Sequence, residues 1–369
     1  MKKINERRGI TLVALVITVI LLLILAGISI QTLTNQGLFS QAQKAKQKSK
    51  EATQNQATIL GTYEQEINRY IAEELTSDKI NTVLSKTKNT VLKDTKGNLF
   101  TVPAGFKIVS DATTSNATTV DKGIVVEDAT VDLEGKATAT NGSQFVWVPV
   151  GTITKADGST TTINLDRYTF DESGNETAQG EKVVDTYFSE TASKGNTIAK
   201  SITDFKTSVA TNGGYYIGRY EARKNATSGK LTEVKTDTVW NNITQPNAAT
   251  QAQNMYDNTN PFTSDLINSY AWDTAILFIQ NCTNTKYSRQ TPVSSSFSST
   301  GTTVDVKCNI YDMASNVYEF TTETSNRSDH PCVYRGGSFN SASNYTSIRY
   351  NYSNFVNYNS LGFRPILYL

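Results

Sequence analysis

One histidine, His330, serves a chain of 369 residues. That excludes a multi-histidine metal centre and a catalytic site built on several imidazoles. Cysteine is scarce too. Cys282, Cys308 and Cys332 stand far apart with no CxxC, which argues against a zinc site. In an exported domain two of the three can pair and leave one free, and the spacing does not choose the pair. Charge of one sign is also missing: 35 Lys and Arg face 34 Asp and Glu. A nucleic-acid partner calls for a basic surface, so none is expected. Hydrophobic residues reach only 38%, low but enough for a core. The polar excess is Thr, Ser and Asn rather than charge, a composition that suits β-rich, loop-rich, secreted structure. No repeat of 20–50 residues is visible. The length alone allows two or three domains.

What is present begins at the N-terminus. Residues 1–9, MKKINERRG, are short, polar and basic. Residues 10–30 carry no charge, and at about 1.5 Å per residue 21 residues span roughly 30 Å, a bilayer core. The positive flank keeps the start of the chain cytoplasmic and sends the rest outside. A cleaved secretory signal calls for a shorter apolar run and a small-residue cleavage site. A plain single-pass anchor fits the hydropathy by itself. Beyond it, Leu60, Tyr63, Ile67, Tyr70, Ile71 and Leu75 recur at helical spacing, so residues 31–75 read as an amphipathic stalk helix.

The junction RRG-ITLVALVITVILLLILAG resembles the cleavage and methylation segment of type IV prepilins. The resemblance implies that a prepilin peptidase cuts after Gly9 and that Ile10 becomes the methylated new terminus. It implies residence in the cell membrane or in a surface pilus, with other pilin subunits as partners. The family's glutamate at the fifth mature residue is Ala14 here. That departure bears on subunit register in a filament.

Residues 76–101 are polar and read as a linker. Residues 102–139 read as a β-rich connecting segment, with 110–121 a Thr- and Ser-rich loop. Short β-type runs bounded by Gly, Asn and Asp fall at 105–109, 123–127 and 144–150, and a second Thr- and Ser-rich loop at 151–165. Residues 265–281 give the clearest helical pattern of the globular region, with two further helical stretches around 196–207 and 247–256.

Six phrases from residue 140 to 369 stand in an order similar to that of formylglycine-generating enzymes: QFVWVPVG, GGYYIGRYEARKN, AWDTAILFIQN, NIYDMASNVYEFTTE, YRGGSF and LGFRPIL. The resemblance implies a variant C-type lectin fold over residues 140–369. The expected class is therefore α+β: a long N-terminal transmembrane or pilin helix followed by a β-rich lectin-like domain. Gly336 and Gly337 read as a tight backbone passage. Arg335 and Arg364 read as buried structural cations. The family's two copper-binding cysteines would fall at Ser341 and Thr346. A hydroxyl is a poor Cu(I) ligand and does no thiol redox chemistry, so no oxidase activity is expected. The family's calcium segment reads NVYEF here, which makes Asn316 and Glu319 the candidate calcium ligands.

Residues 340–359, NSASNYTSIRYNYSNFVNYN, are Asn, Ser or Tyr at 14 of 20 positions. Ordinary surface carries more charge, and ordinary core carries Leu and Val. Tyrosine gives contact area at low entropic cost, while Ser and Asn give adaptable hydrogen bonds, as in a paratope. An Asn- and Tyr-rich β region that merely covers the core is the plainer alternative. The candidate ligand-binding residues are Asn344, Tyr345, Tyr350, Asn351, Tyr352, Asn354, Phe355, Asn357 and Tyr358. In an extended strand Tyr350, Tyr352 and Asn354 share one face and Arg349 turns to the scaffold. The stretch also resembles the variable region of proteins targeted by diversity-generating retroelements, which lies between RGGS and a terminal GFR. Adenine mutagenesis of Asn codons reaches every residue type in it.

These readings converge on a surface-displayed, catalytically inactive, pilin-like protein whose extracytoplasmic head binds a protein or glycan. The alternatives are an extracytoplasmic oxidase of the formylglycine-generating type and a purely structural pilin.

Overall fold

The computed structural model describes residues 72–110, 118–129, 142–180, 199–353 and 358–369, with scattered positions from 44 to 71. The chain divides into two units, Met1–Ile59 and Leu60–Leu369. Gly9, Ile10, Ala14 and the apolar run 10–30 lie outside the described residues. Among the described residues no helix is long and apolar enough to cross a membrane. The described positions of the first unit, such as Lys44, Ala52 and Ile59, are helical and exposed.

In the second unit the helix reaches Ile71 and stops short of the expected residue 75. Glu73–Glu74 instead pairs in parallel with Thr90–Lys93, and Leu75 is buried. The expected linker over 76–101 carries strands of a packed sheet. Thr90–Lys93 and Leu99–Val102 form a hairpin with Leu92 opposite Phe100, both buried. Its turn is held by Asp94, whose carboxylate accepts from the Asn98 amide at 2.9 Å and the Val120 amide at 2.7 Å. These strands are only four residues long and sit between polar stretches, which hides them in the sequence. The Thr-rich stretch 151–165 is likewise a hairpin, Gly151–Thr154 against Thr160–Ile163.

The main sheet has six antiparallel strands in the order Thr263–Leu266, Pro365–Tyr368, Gly214–Gly218, Gln144–Pro149, Val125–Asp128 and Phe106–Ile108. Pro365–Tyr368 thus lies inside the sheet, between the edge strand Thr263–Leu266 and Gly214–Gly218. Phe106–Ile108 and Val125–Asp128 both lie in the segment expected to connect, so those strands are part of the fold.

Among the described residues after Ala72, three α-helices accompany the strands. Ile202–Asn212 starts at Ser201, whose hydroxyl accepts from the Asp204 amide, and ends at left-handed Gly213. It lays Phe205 on Tyr215 and Tyr368, with ring centres 5.4 and 5.6 Å apart. Gln245–Gln253 carries Pro246 in its first turn, where a missing amide hydrogen costs nothing. Ser269–Thr283 is capped by Asn268 and closed by left-handed Asn284. It is buried on nearly every side, which brings Trp272 and Asp273 into the interior.

Candidate ligand-binding surface

A second sheet carries the residues of interest. Its order is Arg349–Tyr352, Cys332–Arg335, Tyr318–Thr324 and Leu361–Phe363. Side chains alternate across a strand, so each strand sends one set to the interior and the other to the opposite face.

The inner face is ionic. Arg335 lies opposite Arg349, a pairing that repels if left alone. Asp273, projecting from its helix, sits between them, one carboxylate oxygen accepting from Arg335 and the other from Arg349. Glu323 accepts from Arg349 at 2.9 Å and from Arg167 at 2.6 Å. The Tyr168 amide also donates to Asp273, at 2.9 Å. These side chains are at most 6% exposed. Although burial opposes it, the two carboxylates hold Arg349 protonated, above its ordinary range. Burial and the neighbouring Arg349 pull Arg335 down. Arg364 forms a second buried pair, donating to Glu319 at 3.0 and 2.6 Å. Arg335 and Arg364 are thus structural, as the sequence predicts.

The opposite face is aromatic. Tyr334 is its hub, with ring centres 4.9 Å from Tyr318, 5.9 Å from Tyr350 and 6.2 Å from Tyr352. Tyr352 continues to Tyr358 at 5.5 Å and to His330 at 5.9 Å. All lie within the range of favourable edge and offset ring contacts. Tyr350 is 44% exposed and Tyr358 45%, while Tyr318 is buried. The face therefore grades from an anchored floor to an open rim. Hydrogen bonding to Tyr358 raises the Tyr352 hydroxyl above its usual range. Asn344 donates its amide to the Tyr318 hydroxyl. Beside the rim, Asn241 donates to the Asn359 carbonyl at 2.7 Å and the Asn242 amide donates to that of Tyr358 at 3.1 Å. That contact sets Trp240 against Phe363, ring centres 5.8 Å apart.

Of the candidate residues, Tyr350, Tyr352 and Tyr358 come together, with Asn344 against their floor. Tyr345 goes elsewhere: the Arg289 guanidinium stacks 3.6 Å from its ring centre. Asn351 corrects the candidate list. It lies between Tyr350 and Tyr352, so it turns to the Arg349 side and donates to Ser325 at 3.2 Å. Asn354, Phe355 and Asn357 lie outside the described residues. Tyr318, Tyr334 and His330 were missed. The signal was present, because Tyr318 and Phe320 alternate with Glu319, and Tyr334 precedes Arg335.

No family model matches the chain, and no curated protein matches it. Solved structures do. The chain is similar to the crystal structure of CarF at 14% identity and a TM-score of 0.32, over 42% of this chain and 87% of that one. It is similar to Treponema denticola variable protein 1 at 16% identity and 0.28, over 63% and 98%. A third likeness is to the M1 variant of the Major Tropism Determinant, at 12% and 0.33, over 80% and 85%.

The remaining candidates have protein partners. Both oxygens of Glu319 meet Arg364. The Asn316 side chain accepts from the Ser298 amide at 2.9 Å and donates to Glu221 at 2.6 Å. Both residues thus have internal partners, and Glu221, the partner of Asn316, also feels the charges of Glu319 and Arg364. Among the described residues no group of three His, Cys, Asp or Glu side chains is placed to hold a metal ion. Ser341 lies in a turn closed by its amide on the Ser338 carbonyl. Thr346 is buried, its hydroxyl on the Gln290 carbonyl at 3.3 Å. Gly337 passes so close to Ala314 that an added Cβ would stand 2.0 Å from its carbonyl oxygen, which is the tight passage expected of the RGGS segment.

Proposed function

We propose that the chain is a surface-display protein in which a pilin-like N-terminal segment carries a catalytically silent, lectin-like head. The head binds a protein or glycan ligand on the aromatic face of its four-stranded sheet. A single observation carries this reading: one strand sends Arg349 into a closed ionic interior and presents Tyr350 and Tyr352 beside Tyr334 and Tyr358. Tyrosines half open to water are ready contact area, and aromatic anchors commonly dominate binding energy. In this reading a prepilin peptidase cuts after Gly9 and the head is extracytoplasmic. Pilin subunits are partners, and no cofactor is invoked. Residues 340–359 are diversified where they face out and fixed where they face in.

The test is an array of glycans and extracellular proteins probed with the full chain and with a Tyr350→Ala/Tyr358→Ala variant. Ligands that hold the parent and lose the variant are expected. Equal binding by both would sink the assignment of this face. Sequencing codons 340–359 across a clonal population tests diversification separately. Changes should fall on Asn344, Tyr350, Tyr352 and Tyr358 and spare Thr346 and Arg349.

A further inference from the structure

We infer that Cys282 and Cys308 are a disulfide pair in waiting, and that Cys332 takes no part. Strands Val306–Lys307 and Ile310–Tyr311 form a hairpin with Lys307 opposite Ile310. That leaves Cys308 and Asn309 as a two-residue loop, with φ of 46° and 62°. Such a turn needs two left-handed residues and favours Asn followed by Gly. Asn309 suits it, and its amide donates to the Gly123 carbonyl at 2.8 Å. Cysteine does not suit it, because a Cβ in the left-handed region is strained. The backbone of the turn is locked as well: a Cβ on Gly123 would lie 1.9 Å from the Cys308 carbonyl oxygen. The Cys308 thiol has two neighbours: it donates to the Asp121 carbonyl at 3.5 Å, and the second is another thiol. That thiol is Cys282, in the last turn of helix Ser269–Thr283, close enough to act on Cys308 directly. Cys332 belongs to the four-stranded sheet, opposite Tyr352.

The bond would join the end of a buried helix to the tip of a hairpin. The segment it closes, 283–307, contains Ser288 and Gln290. Their carbonyls accept from the amides of Ser347 and Thr346, at 3.2 and 3.0 Å. It also contains Ser298, held by Asn316. The cross-link thus braces the loop on which residues 344–348 rest, and it goes beyond the binding reading without needing it.

The oxidant is a low-molecular-weight disulfide such as oxidised glutathione. The partly exposed Cys308, as thiolate, attacks one glutathione sulfur, breaks the S–S bond and expels a glutathione thiolate. Cys282, as thiolate, then attacks the Cys308 sulfur of the mixed disulfide and expels the second. The protein loses two protons and two electrons, and the oxidant takes them up to become two thiols. The neighbouring thiol and burial both push the Cys308 thiol up, so the reaction quickens as pH rises.

The experiment incubates the reduced full chain with oxidised glutathione at alkaline pH, then alkylates it in denaturant and maps peptides by mass spectrometry. The expected product is lighter by two hydrogens, with the Cys282 peptide linked to the Cys308 peptide and Cys332 alkylated. Its melting temperature should rise by a few degrees. Cys282→Ala should stop at a stable glutathione adduct on Cys308. Three alkylated thiols in the oxidised parent, a link through Cys332, or a lasting glutathione adduct on the parent each overturn the inference.

Discussion

Arg349 and Tyr350 are neighbours in sequence and stand on opposite sides of one strand. The Arg349 side chain is 6% exposed between Asp273 and Glu323, and Tyr350 is 44% exposed beside Tyr334. One residue is enclosed by the fold and the next is half open to water. This division explains how a stretch rich in Asn, Ser and Tyr can belong to a stable domain.

The first prediction follows directly. Arg349→Ala leaves Asp273 and Glu323 short of a cation in a dry interior, and should destabilise the fold by about 3–5 kcal/mol. Arg349→Lys keeps the charge but not the forked geometry, and should recover part of that. Tyr350→Ala removes a half-open ring and should cost under about 1 kcal/mol of stability. Urea unfolding of the three variants measures the contrast, and similar losses for Arg349→Ala and Tyr350→Ala would contradict it.

A second prediction moves the domain boundary. A fragment starting near residue 100 loses Leu92 and Asp94, and with them a buried hairpin and the contact on Val120. It should be unstable, whereas a fragment starting at Ala72 should unfold cooperatively. Phe100→Ala within the full chain should cost about 3–5 kcal/mol, since the ring is fully buried. Circular dichroism melts of the two fragments decide the boundary.

How much of this was legible follows from what each signal depends on. Helix Ser269–Thr283 and strand Gln144–Pro149 are apolar enough to show in the sequence, and Arg349 could be turned inward by period two alone. The strands at 90–102 could not be seen because each is four residues long and lies among polar residues, and those at 151–163 because they expose Thr on one side and pass for loop. Tyr334 joined the surface only through register: it lies opposite Tyr350, sixteen residues on, and its ring also meets Tyr318, sixteen residues back. Composition marks the stretch 340–359, but only strand pairing shows that earlier residues supply the floor.

The third prediction concerns pH. Burial raises Asp128 and Asp265 to about 6 and Asp312 to about 7, from an ordinary value of 3.8. The native state therefore holds protons that the unfolded chain releases near pH 4. The stability these groups contribute is complete below about pH 4 and is lost as pH rises through about 6 and then 7. At about 1.4 kcal/mol per unit, Asp312 alone accounts for a few kcal/mol of that decline. Melting temperature should fall between pH 5 and pH 8. Asp312→Asn, which keeps an acceptor for Thr303 or Gly301, should flatten the upper part of the curve. A profile unchanged by the substitution would remove Asp312 as its source.

The last prediction separates the floor of the aromatic face from its rim. Tyr334 touches three other tyrosines, and only one of them, Tyr350, is largely open. Deleting its ring takes away the surface on which Tyr350 and Tyr352 rest, so they lose their fixed orientation as well as a neighbour. Preorganised rings bind better because less freedom is lost on contact. Tyr334→Ala should therefore weaken any ligand found on the arrays by more than Tyr350→Ala does, roughly 2–4 kcal/mol against 1–3 kcal/mol. It should also cost about 1–3 kcal/mol of stability, since the ring is half-buried. Tyr334→Phe keeps the ring and should bind within about 0.5 kcal/mol of the parent. Calorimetric titration of the three variants with one such ligand distinguishes the cases. A Tyr334→Ala protein that folds and binds like the parent would mean that the rim tyrosines work independently and that the floor has no part in recognition.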